Sequence, residues 1–396
     1  MDNLRNPYAP SAGAKPPTLA GRENPLHIFD VALDRALTGR SARGPLPYGL
    51  RGVGKTVLLN QFLAKAAERR CVSVKIEAEE GRPFRLELAE KIRQALFALD
   101  RGAKIRDMLN RAVQVLKSFA LKFEINDVSM NLGVDPALGQ ADSGDIFADL
   151  KDLLVAVGKA AREQGTAVVI AVDEIQYVSQ EDFGAIIGAI HEINQQGLPV
   201  LATLTGLPQV LALAGDAKSY AERIFEFLEI GALSRTDAIA AIQTPAHVEG
   251  VTFEEDAADA VFAATRGYPY FLQEWAYASW NVADGDTITR DDVRRGEVVA
   301  LNKLDHGFFL VRYNRCTPSE RRYLRAMAEL GEGPYGTADV AMTLRKKATQ
   351  LGPVRDSLIR KGMIWAYDHG RVEFTVPLFD EFMRRTEPNF DAVALE

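Results

Sequence analysis

Eight residues constrain this chain more than any other stretch. Gly49-Leu50-Arg51-Gly52-Val53-Gly54-Lys55-Thr56 fits G-x-x-x-x-G-K-[ST] at every position. The spacing has a physical purpose. Glycines let consecutive backbone N–H groups turn inward around an anion. The N-terminus of a following helix aims partial positive charge at the same anion. Both flanks are present: Pro45-Leu46-Pro47-Tyr48 leads in, and a helical pattern runs from Val57 to Arg70. In such a loop the lysine, here Lys55, reaches the β- and γ-phosphates of a nucleotide, and the hydroxyl of Thr56 is offered to Mg²⁺. Gly49, Gly52, Val53, Gly54, Lys55 and Thr56 are therefore candidate nucleotide-binding residues.

The surrounding pattern predicts a parallel α/β sheet. Asn24–Thr38 has helical apolar spacing, Val72–Ile76 alternates as a strand, and Phe84–Leu116 reads as helices. Leu121, Phe123 and Ile125 alternate, Asn126-Asp127 suits a turn, and Val128, Met130, Leu132 and Val134 alternate again, predicting a hairpin insertion over 119–136. It is either an interaction arm or a cover for the sheet. A helix is expected from Asp145 to Gln164. Val168–Val172 is a continuous apolar run, as in a strand buried on both faces. After a helix over Glu181–Gln196, Pro199–Thr205 repeats that pattern. The first apolar run ends in Asp173-Glu174. Asp173 is the expected Mg²⁺ partner, and Glu174 the residue that orients or deprotonates an attacking water. The alternative is that the pair caps the next helix.

At 396 residues the chain exceeds what one hydrophobic core usually organises. Helices are expected after Ser234, over Glu254–Arg266, Pro269–Val282 and Arg290–Leu304. Thr317-Pro318-Ser319-Glu320 is a strong helix start. Two further helices, up to Lys361, and two strands around Asp368-His369-Gly370 complete a winged helix-turn-helix pattern. The net charge of −7 excludes a chain that coats nucleic acid along its whole length. Yet residues 317–385 hold 12 basic and 9 acidic side chains, so this stretch alone is basic. Arg345, Lys346, Lys347, Arg355, Arg360 and Lys361 are either a phosphate-contacting face or a solvated one. Two cysteines, Cys71 and Cys316, cannot form a disulfide framework, and five scattered histidines give no zinc spacing. Residues 1–18 lack an export signal and read as a flexible tail. A cytoplasmic protein is expected. The lid aromatics from Tyr268 to Trp280 are read as packing rather than a base-stacking platform.

Taken together, these motifs resemble the AAA+ ATPases, in particular the branch near origin-recognition and STAND ATPases. The resemblance spans Leu19 to Arg385. It rests on Ala20-Gly21-Arg22-Glu23, the phosphate loop, the Asp173-Glu174 strand, the strand ending at Thr205, Gly267-Tyr268-Pro269 and the C-terminal winged helix. It implies a P-loop NTPase core over 19–232, a helical lid over 233–304 and a winged-helix domain over 305–396. It places Gly21 and Arg22 near adenine, makes Thr205 a γ-phosphate sensor, and sets Pro269 against the base. Arg223 falls where an arginine finger can stand; the alternative is a surface pair with Glu222 or Glu226. The implied activity is that of a nucleotide-dependent switch using ATP and Mg²⁺, with slow hydrolysis to ADP and phosphate. The alternatives are a DNA-binding AAA+ ATPase of replication, transposition or regulation, and a non-hydrolysing signalling or defence adaptor. Partners implied are ATP/ADP, DNA through the winged helix, a protein, and further copies in a nucleotide-dependent homo-oligomer, with no membrane.

Overall fold

A computed structural model describes residues 1–11, 13–100, 106–125, 128, 132–217 and 221–390. It divides into two compact units: Gly21–Gly49 with Gly54–Ile230, and Met1–Ala20 with Leu50–Val53 and Gly231–Glu396.

The first unit runs α1 (Glu23–Leu37), β1 (Gly44–Tyr48), α2 (Lys55–Glu68), β2 (Val72–Glu77), α3 (Phe84–Leu99), α4 (Arg106–Lys122), α5 (Ile146–Glu163), β3 (Val168–Asp173), α6 (Gln180–Gln195), β4 (Val200–Leu204), α7 (Val210–Ala217), α8 (Ala221–Ile224) and β5 (Phe225–Glu229). Strands β2, β3 and β4 pair in parallel, with Glu77 opposite Asp173. β1 pairs in parallel with β5. Pro45 and Pro47 have no N–H to donate, so β1 meets β4 without a regular ladder. The junction rests on Gly206 N donating to Pro47 O at 3.2 Å and on the Thr203 hydroxyl donating to Pro45 O at 2.9 Å. The strand order is thus β5-β1-β4-β3-β2, all parallel. Every residue of β3 and β4 is buried, which explains their unbroken apolar runs.

The hairpin expected over 119–136 is not formed by the described residues. α4 continues through Leu121 to Lys122, and Phe123–Glu124 is a turn. Leu109, Ala112, Val115, Leu116, Phe119 and Ala120 form one buried stripe at helical spacing, and this stripe overrides the short alternation that follows it. Asn126, Asp127 and Ser129–Asn131 lie outside the described residues.

The second unit contains α9 (Arg235–Val248), β6 (Thr252–Phe253), α10 (Glu255–Thr265), α11 (Pro269–Val282), β7 (Thr287–Ile288), α12 (Arg290–Lys303), a π-helical turn (Leu304–Phe309), α13 (Leu310–Asn314), α14 (Pro318–Glu329), β8 (Tyr335–Gly336), α15 (Thr337–Thr343), α16 (Ala348–Arg360), β9 (Ile364–Asp368), β10 (Arg371–Phe374) and α17 (Phe379–Thr386). β8, β10 and β9 form an antiparallel sheet in that order. Thr317 and Glu320 form the reciprocal cap their spacing predicts for α14. Cys71 and Cys316 are free and buried. Among the described residues no helix is long and apolar enough to cross a membrane.

The expected flexible tail is instead a strap on this second unit. The Met1 amino group donates to Ala283 O at 2.7 Å, Trp280 Nε1 donates to Asp2 O at 3.1 Å, and Asn6 Nδ2 donates to Tyr277 O at 3.0 Å. Tyr8 is 3% exposed, donates to Ile242 O at 2.5 Å and lies edge-on to Phe253 and Trp280. Composition misleads here because one buried aromatic outweighs many small and polar neighbours. Losing that ring costs about 3–5 kcal/mol by the usual scale of large-to-small aromatic changes. Tyr8→Ala is therefore expected to lower stability by that amount in denaturant unfolding. A change near zero would contradict the strap.

Candidate functional site

The phosphate loop leaves the C-terminal end of β1, where Gly49 N donates to Gly206 O at 3.2 Å. Gly54 then starts α2 in the left-handed region, with φ +93°. Nothing crowds the place where its Cβ would stand. Glycine is thus needed for the backbone angle itself, not for space. The first N–H groups of α2 have no intrahelical acceptor, which is the geometry that receives an anion. Lys55 is 5% exposed, and its Nζ donates to Gly49 O at 3.0 Å.

Asp173, 1% exposed, ends β3. Its Oδ1 accepts from the Thr205 hydroxyl and from Glu174 N at 3.1 Å. Its Oδ2 lies 3.6 Å from Lys75 Nζ on β2. Glu174 follows in the left-handed region, φ +54°, a strained conformation for a residue with a Cβ. Ile175 N donates to Thr205 O at 2.9 Å, so the ends of β3 and β4 are tied by backbone as well as side chain. Glu174 holds the N-cap position of the short 3₁₀ turn Ile175–Tyr177 without a side-chain cap bond, and α6 beyond it is capped by Ser179, whose hydroxyl accepts from Asp182 N at 3.0 Å. Gln176, which sequence reasoning missed, donates its Nε2 to the Glu174 carboxylate and accepts from Leu207 N at 3.0 Å. No spacing rule marks it, because its role depends on the turn that β3 makes.

Lys55 bonds to Gly49 and Gly49 to Gly206, the residue after Thr205, which bonds in turn to Asp173 beside Glu174. Arg22, 9% exposed, stands at the start of α1 and donates to Gly21 O at 3.1 Å. Arg223 is exposed on the one-turn helix α8, while Glu226, its alternative partner, pairs with Arg43 at 2.5 Å. Gly52, Val53 and Pro269 belong to the second unit. There Tyr270 N donates to Gly52 O at 3.2 Å, and Arg51 N donates to Thr375 O at 3.0 Å. A Cβ on Gly52 would stand 3.2 Å from Tyr270 Cβ and 3.3 Å from Tyr268 Cε1, and φ there is +86°. Pro269 is the first residue of α11. Tyr268 is buried and tilted on Phe271, in keeping with a packing role. Burial, with Glu373 second, pushes its hydroxyl well above the usual tyrosine range.

The donors fit Mg²⁺. Asp173 and Thr56 offer hard oxygen atoms, and Mg²⁺ is usually held by one or two carboxylates plus substrate phosphates and water. Among the described residues no group of three or more His, Cys, Asp or Glu side chains is placed to hold a metal by itself.

A five-stranded parallel sheet, a glycine loop opening a helix from β1 and a buried acid ending β3 define a P-loop ATPase fold. Residues 18–213 match the family model of the AAA ATPase domain, and the chain has the fold of an AAA+ P-loop ATPase. Residues 306–383 match a domain of unknown function (DUF8462). Among solved structures, the Walker-type ATPase PABY2304 of Pyrococcus abyssi is similar with 17% identity and TM-score 0.60, over 92% of this chain and 96% of that one. The Orc1 protein of Aeropyrum pernix, solved in complex with DNA, has 15% identity and TM-score 0.48, over 97% and 96%. The RuvB Holliday junction branch migration motor of Thermotoga maritima has 18% identity and TM-score 0.46, over 90% and 94%. No curated protein matches by sequence.

The Thr205–Asp173 contact is a hydrogen bond to a charged, buried acceptor, a class worth about 1.5–3 kcal/mol. Thr205→Val is expected to lose that much stability in denaturant unfolding, and Thr205→Ser to recover most of it. Equal losses in both variants would contradict a role for the hydroxyl.

Proposed function

We propose that this chain is an Mg²⁺- and ATP-dependent switch that hydrolyses ATP slowly to ADP and phosphate. The observation that carries the switch reading is the placement of Leu50–Val53. These four loop residues are hydrogen-bonded, through Arg51 and Gly52, to Thr375 beyond β10 and to Tyr270 of α11. A loop that rearranges around phosphates moves those partners with it, so nucleotide state reaches the C-terminal sheet and helices. That C-terminal arrangement, with α14, α15 and α16 followed by the β9–β10 hairpin, supports a winged-helix reading.

In this account Lys55 and the amides of the loop bind the phosphates, Thr205 senses the terminal one, and Gly21, Arg22 and Pro269 contact the adenosine end. Thr56 and Asp173 would hold Mg²⁺, which when bound neutralises and polarises phosphate oxygens. Glu174, steadied by Gln176, orients the attacking water and accepts its proton. Arg223, exposed, serves a neighbouring copy when the chain oligomerises. Lys55→Ala is expected to weaken ATP binding about 100-fold or more in calorimetric titration; unchanged affinity would overturn the site. Glu174→Gln is expected to keep ATP affinity and to lower phosphate release by about 10²–10⁴-fold. Undiminished turnover removes Glu174 from its role.

One observation favours DNA as the partner. Of the six basic residues over 345–361, Lys361 is committed to buried Glu320 at 2.7 Å and half-buried Arg355 pairs with Asp356 at 3.3 Å. Arg345, Lys346, Lys347 and Arg360 are exposed, the first three consecutively before α16. Replacing the triplet by alanines is expected to reduce the slope of log affinity against log salt by about 2–3. If the full chain with ATP retains no duplex DNA at low salt, the partner is a protein instead.

A further inference from the structure

Lys75 is a polar residue of the alternating strand β2, which runs Val72–Glu77. Its position is unusual. Lys75 Nζ stands 3.6 Å from Asp173 Oδ2, on the side of the carboxylate that Thr205 and Glu174 N leave open. It also donates to Asn60 Oδ1 at 3.0 Å. Asn60 lies on α2 four residues after Thr56, so the two share a helix face. The ammonium group therefore lies between the two elements that would supply Mg²⁺ with oxygen donors. Its side chain is 27% exposed, against 2% for Asp173, so it reaches the acid from the solvent side.

We propose that Lys75 is the counter-ion of Asp173 in the metal-free site and sets how much Mg²⁺ nucleotide binding requires. The inference rests on the nucleotide site proposed above. Two electrostatic consequences follow. An unpaired Asp173 repels the phosphate chain, so the ammonium group favours nucleotide binding without metal. The same ammonium repels a dication aimed at Asp173, so it raises the Mg²⁺ concentration needed. Charges a few ångströms apart near a protein surface interact strongly enough for effects of about tenfold in each direction. Lysine suits this role because its charge is compact and sits on a flexible stem.

The test uses the full chain and a fluorescent ATP analogue, titrated first in EDTA and then at fixed nucleotide with rising Mg²⁺. Wild type is expected to bind in EDTA within about tenfold of its affinity in saturating Mg²⁺. Lys75→Met is expected to lose about tenfold in EDTA and to need several-fold less Mg²⁺ for half-maximal binding. Lys75→Arg, which keeps the charge, is expected to behave as wild type. Identical EDTA affinity and Mg²⁺ dependence in wild type and Lys75→Met would overturn the proposal while leaving the nucleotide site intact. Should Lys75→Met fail to fold, wild type alone decides: affinity falling clearly more than about tenfold in EDTA overturns it. Absence of binding in saturating Mg²⁺, or binding by Lys55→Ala equal to wild type, removes the site and this inference with it.

Discussion

A carboxylate buried to 1% at the end of a fully buried strand has to be compensated, and much of the first unit is arranged around that need. Asp173 takes a hydroxyl from Thr205 just past β4, an amide from its own turn and an ammonium from β2. Those three partners come from β2 and from the residues just beyond β3 and β4, so the register of the three strands is bound up with satisfying one charge. The parallel ladder places Glu77 beside Asp173, and the same register carries Lys75 to it. The β3–β4 junction is closed by Thr205 donating through its side chain and accepting from Ile175 N through its carbonyl. The acid thus closes the C-terminal end of an inner strand, flanked by partners from both sides.

The phosphate loop joins the two units covalently and belongs to both. Gly49 and Gly54–Thr56 are part of the sheet unit, while Leu50–Val53 is part of the other. Gly52 is held where its backbone carbonyl meets Tyr270, under two aromatic side chains that leave little room for a Cβ. The absence of a Cβ at Gly52 therefore permits the close packing of α11 against this loop. The N-terminal strap bonds to this same second unit through Met1, Asp2, Asn6 and Tyr8, and Tyr8 shares an aromatic contact with Trp280 of α11.

Features with a dense local code were legible in the sequence. The phosphate loop, the buried strands β3 and β4, the acid pair and the Thr317–Glu320 cap all depend on neighbours within a few residues. What was lost depends on distant partners. β5 is five residues, two of them acidic, directly after a one-turn helix, and only its pairing with β1 makes it a strand. The alternation around Leu121 mimics a hairpin but begins inside a helix whose stripe is set by burial. Tyr8 is one aromatic in a polar, proline-rich stretch, and Gln176 acts through a turn no motif encodes. Lys75 looks like a solvated strand residue until β3 is placed beside it. Local spacing marks the candidate residues; their steadying partners are set by tertiary structure.

The proposed switch requires that the loop from Gly49 to Thr56 closes around the phosphates of ATP. Hydrogen–deuterium exchange of the intact chain, with and without Mg²⁺ and ATP, reads those amides directly. Nucleotide is expected to slow exchange across residues 52–57 and at the ends of β3 and β4, with changes reaching Tyr270 and Thr375. Exchange in the loop that is unchanged by saturating nucleotide would contradict it.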